Sequence, residues 1–301
     1  MRIARVRVEW LATPMLALEC DGATYDVAAL EERDGGGMGA PVDFHARLFS
    51  LSCAGLRLLD ERIRAGYRPS EARLLPGQFL PLAPCDTDRA AFVQMGPYEL
   101  DCSHPVFRHR DARGLMGDGQ SIPFPEQIQQ PDVEPSLAVV LREDLWRATA
   151  EQAESAVLGY ALVLDWTARD GLADWRCRGT DLEAGCQLGP ALVSLDEVRG
   201  IAGLGVRMRV GEHEWNAGKV GDWTYSVGES LAYVSQHVEL RAGDVLGAGR
   251  FRDASPSAAG PPLRYGDWVS VAVERLGTLT GRAVRGPSLG RWRAVSPARP
   301  R

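Results

Sequence analysis

The chain has 301 residues, 45% of them hydrophobic and 25% charged, with a net charge of -6 at pH 7. Nucleic acid is excluded as the main partner, because neutralising phosphates needs clustered excess cations. No run approaches the roughly 18 apolar residues of a membrane-spanning helix, so a bilayer is excluded as well. The length suits two units or one large β-rich unit. Lys219 is the only lysine, so a lysine-dependent mechanism has a single residue to use. Six cysteines (Cys20, Cys53, Cys85, Cys102, Cys177, Cys186) contain no C-x-x-C pair, which leaves reduced thiols rather than a zinc ribbon or a redox motif. Met1 to Arg5 has no signal-peptide core, and the expected location is cytoplasmic.

Along the chain, Asp21-Gly22 between Met15–Glu19 and Thr24–Val27 signals a β-hairpin. The glycine run ending at Gly39 reads as a surface linker, since no strand precedes it to make a phosphate cradle. Asp43 to Ala65 is expected to be helical, with Phe44, Leu48, Leu51, Leu59 and Ile63 on one face and Gly66 as the stop. Leu75 to Pro84 reads as a short strand and Pro84 to Arg89 as a domain boundary. Strands then dominate: Ala91–Met95, Leu137–Leu141, Gly159–Trp166, Ala191–Ser194, Val206–Val210, Asp244–Ala248 and Trp268–Val273. Two helices interrupt them, each with a capping box, Thr149 with Gln152 and Ser226 with Glu229. Many strands, few helices and turn glycines predict a mainly β (α+β) fold built on a rolled antiparallel sheet. The expected units are a small N-terminal α/β domain over 1–85, a larger β-rich domain over 86–285 and a C-terminal tail over 286–301.

Asp165 closes the apolar run Gly159–Leu164, where a carboxylate is costly to bury without a cation or dense hydrogen bonding. Asp132, Glu134 and Ser136 alternate just before Leu137–Leu141, so in an extended segment all three share a face. Two adjacent strands would bring Glu134 and Asp165 together, as a hard cation bound through oxygens requires. The alternative is that these acids sit in solvated loops at strand ends. No G-x-S-x-G elbow supports serine hydrolase chemistry, and Gly200 to Gly205 has the wrong spacing for a nucleotide loop.

The order of motifs over roughly residues 85 to 283 resembles the fumarylacetoacetate hydrolase family. The pieces are Phe107-Arg108 through Ile122-Pro123-Phe124-Pro125, Glu134-Pro135-Ser136-Leu137-Ala138-Val139-Val140, and Gly159-Tyr160 to Asp165-Trp166-Thr167-Ala168-Arg169-Asp170. Leu188-Gly189-Pro190, Ala232-Tyr233-Val234-Ser235, Gly243-Asp244-Val245-Leu246, Gly266-Asp267 and Leu276-Gly277 follow in order. The resemblance implies a homodimer and a Mg²⁺ or Mn²⁺ ion held by a Glu-x-Glu pair and a downstream Asp. It further implies a keto-acid or diketone substrate and C–C hydrolysis, decarboxylation or related enolate chemistry. Carried over by position, Glu134 and Asp165 are metal ligands, and Ser136 stands where the second glutamate belongs, with Asp132 as its substitute from the same face. His104 is the candidate acid/base. Arg178 stands near the place of a family lysine, and Arg250 and Ser235 are candidate substrate contacts. Several altered positions within readable scaffold motifs leave two expectations: an enzyme with a modified site, one variant of which polarises the carbonyl with arginines and no metal, or an inactive scaffold that binds a small acid or a partner protein.

Overall fold

The Asp21-Gly22 signal closes the expected hairpin. β1 (Arg2–Val8), β2 (Met15–Cys20) and β3 (Ala23–Asp26) form a meander. Its second turn places Asp21 and Gly22 at φ 50° and 73°, the paired positive values of a type I′ turn. In the computed structural model, residues 1–9, 11, 13–32, 48–49, 52–96, 104–171, 185–198, 200–221, 225–251 and 262–286 are described. Helix α1 (Val27–Glu32) follows β3, and α2 (Ser52–Arg64) occupies much of the expected long helix, whose residues 43–47, 50 and 51, Phe44 and Leu51 among them, lie outside the described set. Strands β4 (Arg73–Leu74), β5 (Phe79–Leu82), β6 (Phe92–Met95), β7 (Phe107–Arg110), β8 (Leu115–Met116) and β9 (Gln120–Phe124) are short. The two long strands are β10 (Pro131–Leu141) and β11 (Val157–Ala168), separated by α3 (Ala150–Ser155). The rest comprises β12 (Cys186–Ser194), α4 (Leu195–Val198), β13 (Gly205–Val210), β14 (His213–Lys219), α5 (Val227–Ser235), β15 (Val245–Arg250), β16 (Trp268–Val273) and β17 (Gly277–Arg285).

Both capping boxes form. Thr149 and Gln152 exchange bonds of 3.3 and 2.9 Å at the start of α3, and Ser226 and Glu229 do so at 3.1 and 2.7 Å at the start of α5. Each removes two orphan N–H donors from a helix end, which is why short helices hold here.

The fold is mainly β. A 12-stranded sheet runs β4-β3-β2-β1-β12-β11-β10-β15-β6-β7, with β5 also on β1 and β8 on β12; a 5-stranded sheet runs β14-β13-β16-β17-β9. The N-terminal meander joins the large sheet through β1, where Arg2 faces Val193 and Ile3 faces Leu192 on β12. Side chains alternate across β10 and β11. Val133, Leu137, Val139, Leu162, Leu164 and Trp166 lie in the core beneath the second sheet. Ala138, Val140, Ala161 and Val163 face the other way, into the core that includes α2 and the meander. That second face also carries Glu134, Ser136 and Asp165 by the same period of two.

Gln187, fully buried on β12, ties the sheets together. Its amide nitrogen donates to Gly117 O, Gln120 O and Thr280 O at 2.9, 3.3 and 3.1 Å, and its amide oxygen accepts from Trp166 Nε1 at 2.9 Å. A Cβ at Gly281 would overlap this amide, so close approach requires glycine on β17.

Asp118 braces the same junction, accepting from Thr280 N at 2.7 Å and Thr280 Oγ1 at 2.8 Å. Burial raises its carboxyl pKa above the ordinary value, outweighing these bonds. A raised folded pKa gives stability that is present below the unfolded pKa and lost as pH rises through the folded one. Wild-type stability relative to Asp118→Asn is therefore expected to fall over the range that begins near the ordinary carboxyl value of about 4 and extends above it. Paired urea melts across that range check it; a difference that grows with pH would contradict it.

Candidate active site

The polar first half of β10 is strand because β11 and its neighbours supply what buried acids need. The register sets Asp132 opposite Thr167 and Glu134 opposite Asp165, and on the far side of β11 Asp165 faces Cys186 of β12. Glu134, Asp165 and Cys186 thus form one row across three adjacent strands, on one face of the sheet. Asp132, Glu134 and Asp165 are 2, 6 and 1% exposed. Carboxylates so deeply buried require charge compensation.

Three arginines provide it. Arg169, in the turn after β11, donates from Nε to Asp132 Oδ2 at 2.6 Å and pairs through Nη2 with Glu134 Oε1 at 2.8 Å. Arg108 Nη2 lies 3.1 Å from Asp165 Oδ2, and Arg110 Nη1 lies 3.2 Å from Asp165 Oδ1. Arg110 also donates from Nη2 to Cys186 Sγ at 3.0 Å, while the thiol donates to Asp165 Oδ1 at 3.3 Å. Arg108 and Arg110 both come from β7, which β10, β15 and β6 separate from β11 in the sheet order. Their reach to Asp165 is the roll of the sheet: its far edge curls back over the concave face.

The electrostatics agree with the geometry. Burial works against the charge of Arg169, but Asp132 and Glu134 outweigh it and its pKa is raised. Burial, reinforced by the charge of Asp165, pushes the Cys186 thiol well above its ordinary value. Cys186 is therefore a protonated hydrogen-bond donor at neutral pH rather than a thiolate nucleophile.

The other expected site residues fall elsewhere. Ser136 is fully buried on the face of Glu134, and its Oγ has no hydrogen-bond partner among the described residues. The backbone of Arg250 pairs with Ser136 across β15. Arg178 lies outside the described residues. Ser235 is buried at the end of α5, where Oγ donates to Ala232 O at 2.8 Å and accepts from Ala148 N at 3.1 Å. His104 is exposed and stacks on Tyr233, ring centroids 6.4 Å apart, and Phe107 lies 6.2 Å from the same ring. Phe107 and His109 alternate with Arg108 and Arg110 on β7, so this aromatic group occupies the strand face turned away from Asp165. Glu134 faces Asp165 in register and shares Arg169 with Asp132; His104 and Ser235 are not brought to them. The motif aspartate Asp244 accepts from Ala91 N and Arg241 N, each at 2.7 Å, and so braces the entry to β15.

Sequence reasoning missed Arg108, Arg110 and Cys186 as site residues and used Arg169 only as a motif letter. The available signal was Arg-x-Arg in a short extended segment, which puts two cations on one strand face.

The residues present do not fit a hard dication in the manner the resemblance implies. A serine hydroxyl replaces a carboxylate, and both oxygens of Asp165 already accept from guanidinium groups. Among the described residues no group of three or more His, Cys, Asp or Glu side chains is gathered to hold a metal. A dication about 4 Å from one guanidinium would be repelled by roughly 8 kcal/mol at an effective dielectric of 20.

The family model described as "Fumarylacetoacetate (FAA) hydrolase C-terminal" matches residues 86–284. The oxaloacetate tautomerase YisK of Bacillus subtilis is 30% identical over 63% of this chain and 64% of its own length. A human mitochondrial oxaloacetate tautomerase is 30% identical over 60% of this chain and 59% of its own. The chain therefore matches less than two thirds of the length of either relative. Among solved structures, a maleylpyruvate hydrolase from Sphingobium sp. SYK-6, in complex with manganese(II) and pyruvate, superposes with a TM-score of 0.73 at 19% identity. That superposition covers 95% of this chain and all of the other, and it establishes the shared fold. No helix among the described residues is long and apolar enough to cross a membrane.

Proposed function

The chain belongs to the fumarylacetoacetate hydrolase family, and from that premise we propose that it is an enzyme of enolate chemistry on a small keto acid or β-dicarbonyl, acting as a homodimer. The observation that carries the reading is the buried Glu134–Asp165 row with guanidinium groups at both ends. Similarity to two oxaloacetate tautomerases makes oxaloacetate the first substrate to try.

Such reactions share an enolate, which tautomerisation reaches by removing a proton from the carbon beside a carbonyl and decarboxylation or C–C hydrolysis by breaking a C–C bond; in each, charge moves onto the carbonyl oxygen. Arginine stays protonated at neutral pH. Arg108 and Arg110 would therefore act as fixed donors toward that oxygen or toward the substrate carboxylate, and not as acids. Donors aimed at developing charge in a site that excludes water are worth far more than in bulk solvent. Glu134 is the candidate proton carrier, held in orientation by Arg169. Arg250 and Arg178 remain candidates for the distal carboxylate. No step is assigned to His104, given its place beside Tyr233.

Freshly dissolved enolic oxaloacetate, followed by ultraviolet absorbance, tests the reading. The expected result is conversion to the keto form above the uncatalysed rate, reduced by about 10²-fold or more in Glu134→Gln. Equal rates with and without enzyme, across oxaloacetate, acylpyruvates and other β-dicarbonyl acids, would contradict it. A second reading, a scaffold that binds a small acid without turnover, draws support from Ser136 and from the mutual neutralisation of the buried charges. Saturable binding of these acids with no turnover would favour it.

A further inference from the structure

We infer that this site balances its buried carboxylates with Arg108, Arg110 and Arg169 in place of a divalent ion, and that it binds its keto-acid anion directly on guanidinium, without metal. The inference deepens the proposed activity and rests on the reading that the site takes a keto acid.

Three observations carry it. First, each buried carboxylate is paired with arginine: Asp132 and Glu134 share Arg169, and Asp165 is gripped by two arginines, one on each oxygen. Second, the cations are built in rather than draped from the surface. The side chain of Arg110 is 7% exposed and is fixed by a further bond to Cys186, and Arg169 is anchored by its own N–H on Gln130 O at 2.9 Å. Third, Ser136, buried on the face of Glu134, sets a hydroxyl where the family resemblance places a second carboxylate, and a hydroxyl is a poor ligand for a hard ion.

Within this arrangement Arg108 has a distinct position. It is the more exposed of the two β7 arginines, 19% against 7%, so it is the guanidinium that an incoming anion meets first. Arg110, deeper and tied to both Asp165 and Cys186, holds the carboxylate in place. A planar guanidinium also suits the bidentate recognition of a carboxylate or an enolate–carboxylate pair.

Mn²⁺ and oxalate, titrated separately into the chelator-treated full chain by calorimetry, test the inference without using turnover. Oxalate stands for the enolate of a keto acid and is titrated with chelator present. The expected results are no saturable Mn²⁺ uptake and saturable oxalate binding. Arg108→Gln should weaken oxalate about tenfold to a hundredfold, and Arg108→Lys by less. Stoichiometric Mn²⁺ uptake by the wild type would overturn the inference, and so would failure of oxalate to bind the wild type in chelator. Both decisive arms use the wild type, so misfolding of a variant does not blunt them. Turnover of a keto acid only after metal is added would overturn this inference and keep the proposed activity. Metal-free oxalate binding without any turnover would do the reverse.

Discussion

Asp165→Asn is expected to cost about 3–5 kcal/mol of unfolding free energy, the usual penalty when one partner of a buried ion pair is removed. The carboxylate is 1% exposed and holds two guanidinium groups at 3.1 and 3.2 Å. An amide of the same shape accepts from one arginine through its oxygen but turns an N–H group toward the other. Arg108 and Arg110 then face each other without the charge between them. The Cys186 thiol also loses its acceptor at 3.3 Å. Adding Arg110→Gln to Asp165→Asn should recover part of the loss, because the second change removes a stranded cation. That non-additivity is the signature of a coupled buried network. Urea melts of the two single variants and the double variant measure it. Simple addition of the two costs would show that the pair is not coupled.

Trp166→Ala carries a comparable expected cost, about 3–5 kcal/mol, and for a different reason. Trp166 follows Asp165 on β11 and points to the opposite face, where it is fully buried. Its ring meets Phe124 edge to face at 6.3 Å, and its Nε1 donates to Gln187. Truncation leaves a cavity between the two sheets and strips Gln187 of its donor, so transfer, cavity and unsatisfied-acceptor terms add. Trp166→Phe keeps one aromatic ring and loses the hydrogen bond and part of the buried volume, so an intermediate cost of about 1–3 kcal/mol is expected. The denaturation midpoint should fall in the order wild type, Phe, Ala, with the slope unchanged. Equal midpoints for Phe and Ala would place the whole effect on the hydrogen bond.

The two variants bracket the site from its two faces, and they show which parts of it the sequence could reveal. The alternation of Asp132, Glu134 and Ser136 ahead of an apolar strand was enough to put all three on one face, and the end of Gly159–Leu164 was enough to bring Asp165 opposite Glu134. Capping boxes and the Asp21-Gly22 turn were equally legible, since each is a local bond between residues close in sequence. The arginines were not legible as site residues. Phe107-Arg108-His109-Arg110 has no apolar run to mark a strand, and its partnership with Asp165 depends on the roll of a sheet whose intervening strands come from three separate parts of the chain. For the same reason β10 and β12 extend further toward their polar ends than hydrophobicity indicates. Pro131–Ser136 is strand because Arg169 and Asp165 lie across from it, and Cys186-Gln187 is strand because Gln187 bonds the second sheet. The joining of β1 to β12 is a pairing across nearly two hundred residues and leaves no local trace.

Hydrolysis, decarboxylation and tautomerisation of keto acids all pass through an enolate, and tautomerisation forms it by removing a proton that can be followed directly. The most direct measurement is solvent-deuterium exchange into the carbon beside the carbonyl of oxaloacetate, followed by proton NMR in chelator-containing buffer. Exchange accelerated by the wild type and abolished in Glu134→Gln is the predicted result. Exchange at the buffer rate, in the presence of a well-folded protein that binds the acid, would contradict proton removal by Glu134 at the Glu134–Asp165 row.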